Sequence, residues 1–191
     1  MSDHLTTAST LYLGISGVLH PSDSFYSLMH GRSPWEDGHS KYECAPVLVQ
    51  ALESWPDVEI ILTSTQPWAH GFESVLELLG PTLAARVVGH THEDLTTKVK
   101  REVNTRNGLK RTVGISNEDY WRMNKSAIVA THVKWRRPDH WIVVDDEDIL
   151  WPHDVRRDRL VLTDGCVGLQ SAEGQDRLRT VMHMNFGQGT K

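Results

Sequence analysis

The chain has few of the features that mark membrane, secreted or metal-thiolate proteins. Its 191 residues contain no stretch that approaches the roughly 18 consecutive apolar residues of a membrane span. The opening residues lack a basic region followed by an apolar one, so they do not predict a secretory signal. Only Cys44 and Cys166 occur, far apart and in no CxxC pair, which argues against a disulfide scaffold or a thiolate zinc site. We therefore expect a cytoplasmic protein with reduced thiols, and a disordered lead-in over residues 1–9.

Charge is present in both signs but is unevenly distributed. The formal net charge of the chain is −5. Residues 97–137 contain eleven lysines and arginines against three acidic residues, so this basic segment has a net charge of +8 on an otherwise acidic chain. Such a segment is typical of a surface that faces a polyanion, and equally of a solvated loop and helix face. Charge alone leaves both interpretations open.

Short apolar runs alternate with segments of helical spacing. Strands are predicted over 10–16, 58–62, 85–88, 141–144 and 160–162, and helices over 45–55, 71–79, 124–135 and 172–183. The alternation predicts an α/β protein: a three-layer, Rossmann-like fold with a mainly parallel central sheet and helices on both faces. One domain should span 10–183, with a flap or small cap at 21–43, a basic insertion or loop at 92–121, and a flexible tail at 184–191. Ligands of such sheets bind beyond the carboxyl ends of the strands.

Polar residues follow the predicted strands in a recognisable order. Gly-Val-Leu-His-Pro (17–21) follows the first strand, Thr-Ser-Thr (63–65) follows the second, and Lys125 opens a helix before Asp145 and Asp146 end the next strand. In this order and spacing, over roughly residues 10–183, the sequence resembles the haloacid dehalogenase (HAD) superfamily of phosphohydrolases. More narrowly, it is similar to the small HAD domains of bacterial Swiss Army Knife RNA-repair proteins.

The first motif of that resemblance lacks both of its aspartates. In the family, the first strand ends in Asp-x-Asp-Gly-Val-Leu, where the first aspartate attacks phosphorus and ligates Mg²⁺ and the second is the general acid and base. Gly14 and Ser16 stand at these positions. Glycine has no nucleophile or metal ligand, and the pKa of a serine hydroxyl is too high for proton transfer. Because one acid–base group alone typically contributes about 10²–10⁴-fold, we expect the family reaction to be abolished.

The other motifs are retained, and the resemblance implies a role for each. Thr63 or Ser64 would hydrogen-bond the phosphoryl group, with a helix-capping hydroxyl as the alternative. Lys125 would pair with phosphate charge, with a solvated lysine as the alternative. Asp145 and Asp146 correspond to the acidic pair that holds Mg²⁺, or could pair with Lys125 or an arginine. Without a carboxylate at position 14, we expect the magnesium site to be weak or empty.

Two further patterns are weaker. His90 and His92 are spaced like metal ligands but lack an obvious third ligand, which favours ordinary loop residues. Most of the seven tryptophans fit core or rim packing. Trp121 and Trp135 are the exceptions, since they lie in the basic segment where a nucleobase could stack on them.

Three functions remain open from the sequence. The favoured one is a pseudophosphatase that binds a phosphorylated small molecule or a nucleic-acid end without hydrolysing it. The second is an active, Mg²⁺-dependent phosphohydrolase with a non-standard site, such as a water activated at Asp145 and Asp146. The third is a regulatory module whose basic segment binds a protein partner. No membrane partner is predicted, and the sequence does not predict an oligomeric state.

Overall fold

A parallel sheet of five strands forms the centre of the protein. The computed structural model describes residues 9–98, 101–104 and 110–187. The sheet has the strand order β3-β2-β1-β6-β7, and β4 and β5 form a separate antiparallel pair. The described strands are β1 (Thr10–Leu13), β2 (Glu59–Leu62), β3 (Val87–His90), β4 (Arg101–Asn104), β5 (Lys110–Val113), β6 (Trp141–Asp145) and β7 (Leu160–Leu162).

Helices cover both faces of this sheet. The described helices are α1 (Asp23–His30), α2 (Ala45–Leu52), α3 (Gln66–His70), α4 (Phe72–Leu79), α5 (Pro81–Ala84), α6 (Thr91–Glu93), α7 (Asn117–Arg122), α8 (Lys125–Arg136), α9 (His153–Asp158) and α10 (Ala172–Phe186). A 3₁₀-helix spans Pro34–Asp37, and a π-helix spans Asp94–Lys98. In the part of the chain that the structure describes, no helix is long and apolar enough to cross a membrane.

The apolar strands build two cores because alternate side chains of a strand point to opposite faces. Leu11 and Leu13 of β1 pack in the larger core, together with residues of α2, α4, α5 and α10. Tyr12, between them, points to the smaller core, where it meets Val129 of α8 and Trp151. All of β1 is buried, as expected for the middle strand of a sheet that is covered on both sides. The predicted three-layer α/β architecture is therefore confirmed.

Helix α8 has clear local signals at both ends. The side chain of Asn124 accepts a hydrogen bond from the backbone N–H of Ala127 at 2.8 Å, which caps the first turn. Arg137 ends the helix in the left-handed conformation, and Pro138 follows it and disfavours further helix. Lys125 therefore occupies the first turn of α8, directly beside the carboxyl edge of the sheet.

A buried chain of hydrogen bonds anchors α8 to the sheet. The hydroxyl of Tyr12 lies 2.9 Å from Nδ1 of His132, and Nε2 of His132 lies 3.0 Å from Oδ2 of Asp94. Lys98 donates to the other carboxylate oxygen of Asp94 at 2.7 Å. Burial lowers the pKa of His132 despite the nearby carboxylate of Asp94. These hydrogen bonds join β1, α8 and the π-helix.

Some elements differ from the predicted ones. The third strand is shifted to Val87–His90 and includes Gly89, which was expected to end it, because Gly89 and His90 pair with Ile61 and Leu62 of β2. The predicted basic insertion or loop at 92–121 contains β4, β5 and α7 in its described residues, and its bounds stay a prediction. Helix α10 continues to Phe186, past the expected end at 183, because Phe186 packs against Trp55. The predicted lead-in (except Ser9) and residues 188–191 of the predicted tail lie outside the described residues.

The predicted flap at 21–43 contains ordered elements. Helix α1 and the 3₁₀-helix Pro34–Asp37 both lie in it, and Ser33 and Glu36 form a capping box at the start of the 3₁₀-helix. Phe25 and Met29 of α1 are exposed, so this helix has apolar side chains that no core covers. The segment borders the carboxyl edge of the sheet, since the N–H of Ser22 donates to the carbonyl of Gly165 at 2.7 Å.

Candidate functional site

The register of the sheet brings the predicted site residues together. Leu13 is paired with Leu62 on one side and with Val144 on the other. The next residues along the three strands, Gly14, Thr63 and Asp145, therefore stand side by side where the strands end. Hydrogen bonds continue past the strands, since the N–H of Gly14 donates to the carbonyl of Val144 at 2.9 Å.

Lys125 reaches into this group from the first turn of α8. Its Nζ donates to the carbonyl of Thr63 at 3.1 Å and lies 3.2 Å from Oδ2 of Asp145. An ammonium group has three N–H donors. Among the residues that the structure describes, these two oxygens are the acceptors that Nζ contacts, so one donor remains for a ligand. Lys125 is thus mostly buried and ion-paired, so the solvated alternative is wrong, and its predicted pairing with phosphate stays a prediction.

Asp145 is almost fully buried and is held on several sides. The hydroxyl of Thr63 donates to its Oδ2 at 3.5 Å, and the N–H of Glu147 donates to its Oδ1 at 3.1 Å. Burial disfavours the charged form of Lys125, but the carboxylates around it, Asp145 first, outweigh this effect and raise the pKa of the lysine. Lys125 and Asp145 therefore form a charged pair at the end of the sheet.

Asp146 differs from its neighbour. Burial, reinforced by the negative charge of Asp145, raises its pKa to about 6. Lys125 opposes this shift but does not cancel it. Asp146 faces the loop after β1, and a Cβ atom at Gly17 would overlap its carboxylate. Gly17 has a φ of +73°, a conformation that other residues rarely adopt, so both the backbone and the space require glycine here.

Position 14 has no side chain, and Asp145 leans towards the place where one would begin. A Cβ atom at Gly14 would lie 2.6 Å from Oδ2 of Asp145 and 3.1 Å from the side chain of Val18. Any larger residue there requires the Asp145 carboxylate to move. Ser16, two residues further on, is exposed to solvent in the loop.

The two hydroxyls after β2 have different surroundings. Thr63 contacts the Lys125–Asp145 pair, whereas the Oγ of Ser64 accepts a hydrogen bond from the N–H of Gln66 at 3.2 Å, at the start of α3. Ser64 thus makes a local turn before α3, whose N-cap is Thr65 and has no side-chain capping bond. Thr63 is the hydroxyl that lies next to the cation, and its phosphate-binding role stays a prediction.

The residues present do not make the magnesium site that the resemblance implies. Gly14 contributes no carboxylate, and the oxygens of Asp145 already contact Lys125, Thr63 and the backbone of Glu147. Over the described ranges, no group of three or more His, Cys, Asp or Glu side chains is placed to hold a metal ion. We therefore derive no step through Mg²⁺, and the expectation of a weak or empty site stays a prediction.

An open cavity of about 800 Å³ lies between the site and α1. Asp146, Glu147 and Asp164 give it acidic groups, while Phe25 and Met29 form an apolar wall. Thr163 also lines the cavity, and its hydroxyl donates to the carbonyl of Gly17 at 2.7 Å. The side of the carboxyl edge next to β6 and β7 is therefore acidic and partly apolar.

Sequence reasoning missed several residues around the site. Glu147 accepts a hydrogen bond from the N–H of Lys125 at 3.2 Å, which places a carboxylate at the N-terminus of α8. His90 and His92 were predicted to be loop residues, and this was wrong: His90 ends β3, His92 lies in α6, and both are buried. Trp68 lies on α3, and its exposure near the site could not be read from its spacing. Trp135 stands against His132 on α8.

Comparison with known families agrees with this architecture. The family model described as "HAD domain in Swiss Army Knife RNA repair proteins" matches residues 10–173, most of the chain. The comparisons with curated proteins and with solved structures gave no match. The parallel sheet, the retained strand-end residues and the extent of the match agree, and the chain belongs to this family of HAD domains.

Proposed function

We propose that this chain binds a phosphorylated ligand at the carboxyl edge of the sheet without hydrolysing the phosphate ester. The observation that carries the proposal is the contrast between Gly14 and Lys125. The nucleophile position has no side chain, while the adjacent cation is fixed by Thr63 and Asp145 with one donor left over. The family is named for RNA-repair proteins, which supports the phosphorylated end of an RNA strand as the ligand.

The chemistry of the site favours binding over turnover. Attack on phosphorus needs a nucleophile, and proton transfer to the leaving group needs an acid of suitable pKa. Gly14 supplies neither, and the hydroxyl of Ser16 cannot act as such an acid. Lys125 and the hydroxyl of Thr63 can still bind phosphate oxygens, because charge-assisted hydrogen bonds do not depend on the lost groups.

Phosphatase assays test the inactive half of the proposal. We expect no turnover of a generic phosphomonoester by the purified chain with Mg²⁺. The double variant Gly14→Asp/Ser16→Asp should gain activity once the Asp145 carboxylate turns away from position 14. Measurable Mg²⁺-dependent turnover by the natural sequence would contradict the proposal, and a folded but inactive double variant would show that more of the site has been lost.

Binding assays test the other half. We expect a short single-stranded RNA with a terminal phosphate to bind more tightly than the same RNA without one, and Lys125→Met to remove the difference. Arg122→Met is a matched control, because Arg122 is an exposed cation of the same segment that pairs with Glu118. Equal affinities for the two RNAs would rule out phosphate recognition.

A second candidate is hydrolysis by Asp145 and Asp146, and two observations favour it. Oδ2 of Asp145 lies 2.6 Å from the place of a Cβ atom at position 14, and the pKa of Asp146 is raised to about 6, closer to that of a neutral-pH general acid. Against it, Asp145 is ion-paired with Lys125, which weakens it as a nucleophile. If any turnover occurs, Asp145→Asn should abolish it.

A further inference from the structure

Two exposed tryptophans form a pair beside the proposed phosphate site. Trp68 of α3 is 59% exposed and Trp121 of α7 is 40% exposed. Their ring centroids are 5.1 Å apart and their planes are inclined by 63°. Large aromatic side chains in contact with each other at the surface are typical of binding sites, because their apolar faces gain from being covered.

His92 lies behind this pair and has an unsatisfied polar atom. Its ring stacks on Trp121 at 5.1 Å with an angle of 24°, and Trp68 is 6.3 Å away. His92 is only 9% exposed, and within the described residues its buried Nε2 has no hydrogen-bond partner. Because this atom is buried, His92 supports Trp121 from behind, while the two tryptophans supply the exposed stacking faces.

A series of contacts through Tyr120 and Thr91 links the neighbourhood of the aromatic pair to the phosphate site. The hydroxyl of Tyr120, next to Trp121, lies 2.8 Å from Oγ1 of Thr91, which donates to the carbonyl of Leu62 at 3.4 Å. The next residue, Thr63, is the one that Lys125 contacts. Trp121 also precedes Lys125 by four residues, and Trp68 follows Thr63 by five. The two tryptophans therefore flank the same end of β2 as the cation.

Lys125 and the sequence around it favour one class of occupant for this surface. Trp121 and Lys125 belong to the basic segment at 97–137, whose net charge of +8 is a property of the sequence, since residues 99–100 and 105–109 lie outside the described part of the chain. Single-stranded nucleic acid combines a polyanionic backbone with exposed bases, and aromatic side chains beside basic residues bind it by stacking and charge. A duplex hides the faces of its bases, so it fits this surface less well.

We propose that Trp68 and Trp121, with His92 behind them, stack the base next to the phosphate held at Lys125. The ligand is then the end of a single-stranded nucleic acid, not a phosphorylated small molecule or a protein. This inference rests on the proposed function, because Lys125 sets where the terminal phosphate lies. It adds base-stacking residues to a site that otherwise recognises phosphate alone.

The test measures binding of a short single-stranded RNA, labelled at the end away from the phosphate, by fluorescence anisotropy. Trp68→Leu should weaken binding about 5- to 100-fold, the range for loss of one base–aromatic stack. Trp68→Phe keeps an aromatic face and should retain most of the affinity. Trp121→Leu gives a second variant if Trp68→Leu fails to fold, which circular dichroism will show.

The matched control is Trp55→Leu. Trp55 precedes β2, at the opposite edge of the sheet, and packs against Phe186. It should leave RNA affinity within about two-fold of the natural chain, since it removes no stacking face from the site. The dependence of affinity on salt should be the same for Trp68→Leu and the natural chain, because no phosphate contact is lost. A duplex of the same sequence should bind more weakly than the single strand.

The outcomes separate the two proposals. If Trp68→Leu and Trp121→Leu both bind RNA like the natural chain while the terminal phosphate still matters, stacking is wrong and phosphate recognition stands. If both variants weaken binding but the terminal phosphate makes no difference, stacking stands and phosphate recognition fails. Absence of RNA binding by the folded natural chain at low salt overturns both and favours a protein partner for the basic segment.

Discussion

The two sides of the carboxyl edge of the sheet, which we call its flanks, differ in charge: one is acidic and the other is basic and aromatic. On the side of β6 and β7, Asp146, Glu147 and Asp164 line an acidic cavity beneath α1. On the side of β2 and β3, Lys125 and the two exposed tryptophans lie beside Thr63. Gly14 lies between the two flanks and has no side chain. On the proposed function, we expect an RNA strand to approach from the β2 side, because the acidic side would repel it.

The largest effect should come from removing the cation of the basic side. Lys125→Met leaves the buried carboxylate of Asp145 without its ion pair, which typically costs about 3–5 kcal/mol. Urea unfolding should show this loss. The double variant Lys125→Met/Asp145→Asn removes the uncompensated charge and should recover most of the stability, yet still not distinguish phosphorylated from unphosphorylated RNA. Equal stability of Lys125→Met and the natural chain would show that the pair is not buried as described.

Gly17→Ala tests how tightly the acidic flank packs against the loop after β1. Alanine would be strained at a φ of +73° and would overlap the carboxylate of Asp146, so we expect a loss of about 2–4 kcal/mol. Gly38→Ala is the matched control, because Gly38 has a φ of +88° but nothing within 4 Å of its Cβ position. This control should lose only the cost of placing alanine in the left-handed region, about 1–2 kcal/mol. Equal losses would mean that Asp146 can move away without cost.

The acidic flank should also show a dependence on pH. The pKa of Asp146 is raised to about 6 in the folded chain, above the usual value near 3.9 of an unfolded aspartate. Between these values the folded state binds more protons than the unfolded state, so this group makes stability fall as pH rises from about 4 to 6, and the loss persists above that. Asp146→Asn should therefore stabilise the protein by about 3 kcal/mol at neutral pH and by little near pH 4.

Denaturant titrations at the two pH values measure the difference. Asp148→Asn is the control, because Asp148 is exposed and pairs with Arg156 at the surface. Its effect should stay within about 0.5 kcal/mol at both values. A gain from Asp146→Asn that is the same at low and neutral pH would argue against a raised pKa.

The smallest effect is expected at Ser16. Its side chain is exposed in the loop after β1, so Ser16→Ala should change stability by less than about 0.5 kcal/mol and leave RNA affinity unchanged. Unfolding and anisotropy measurements check both. A marked loss of binding would assign Ser16 a direct contact with the ligand and shift the site towards the centre of the edge.

Local sequence signals were enough to predict the sheet and the strand-end residues. Apolar runs such as those of β1 and β6 specify buried strands, and the parallel arrangement then places Thr63 and Asp145 at one edge. The ends of elements depended on distant packing instead. Gly89 remains inside β3 because it pairs with Ile61 of β2, and Phe186, in the last turn of α10, packs against Trp55.

The aromatic pair shows what the sequence could not provide. Trp68 and Trp121 are separated by more than fifty residues, and no periodicity relates them. Their contact depends on α3 and α7 meeting at one end of β2, a consequence of tertiary structure. Sequence reasoning considered Trp121 because of its basic surroundings, but Trp68 has no such neighbours and was assigned to packing.

The hydrogen bonds from Tyr12 through His132 to Asp94 fix the position of Lys125 as well as that of α8. Lys125 and His132 lie seven residues apart on α8, about 10 Å along the helix axis. Since the buried chain fixes the rotation and height of the helix, it also fixes where the ammonium group stands. Relatives with this anchor could therefore exchange residues at the mouth, and so change their ligand, while the position of the charge stays constant.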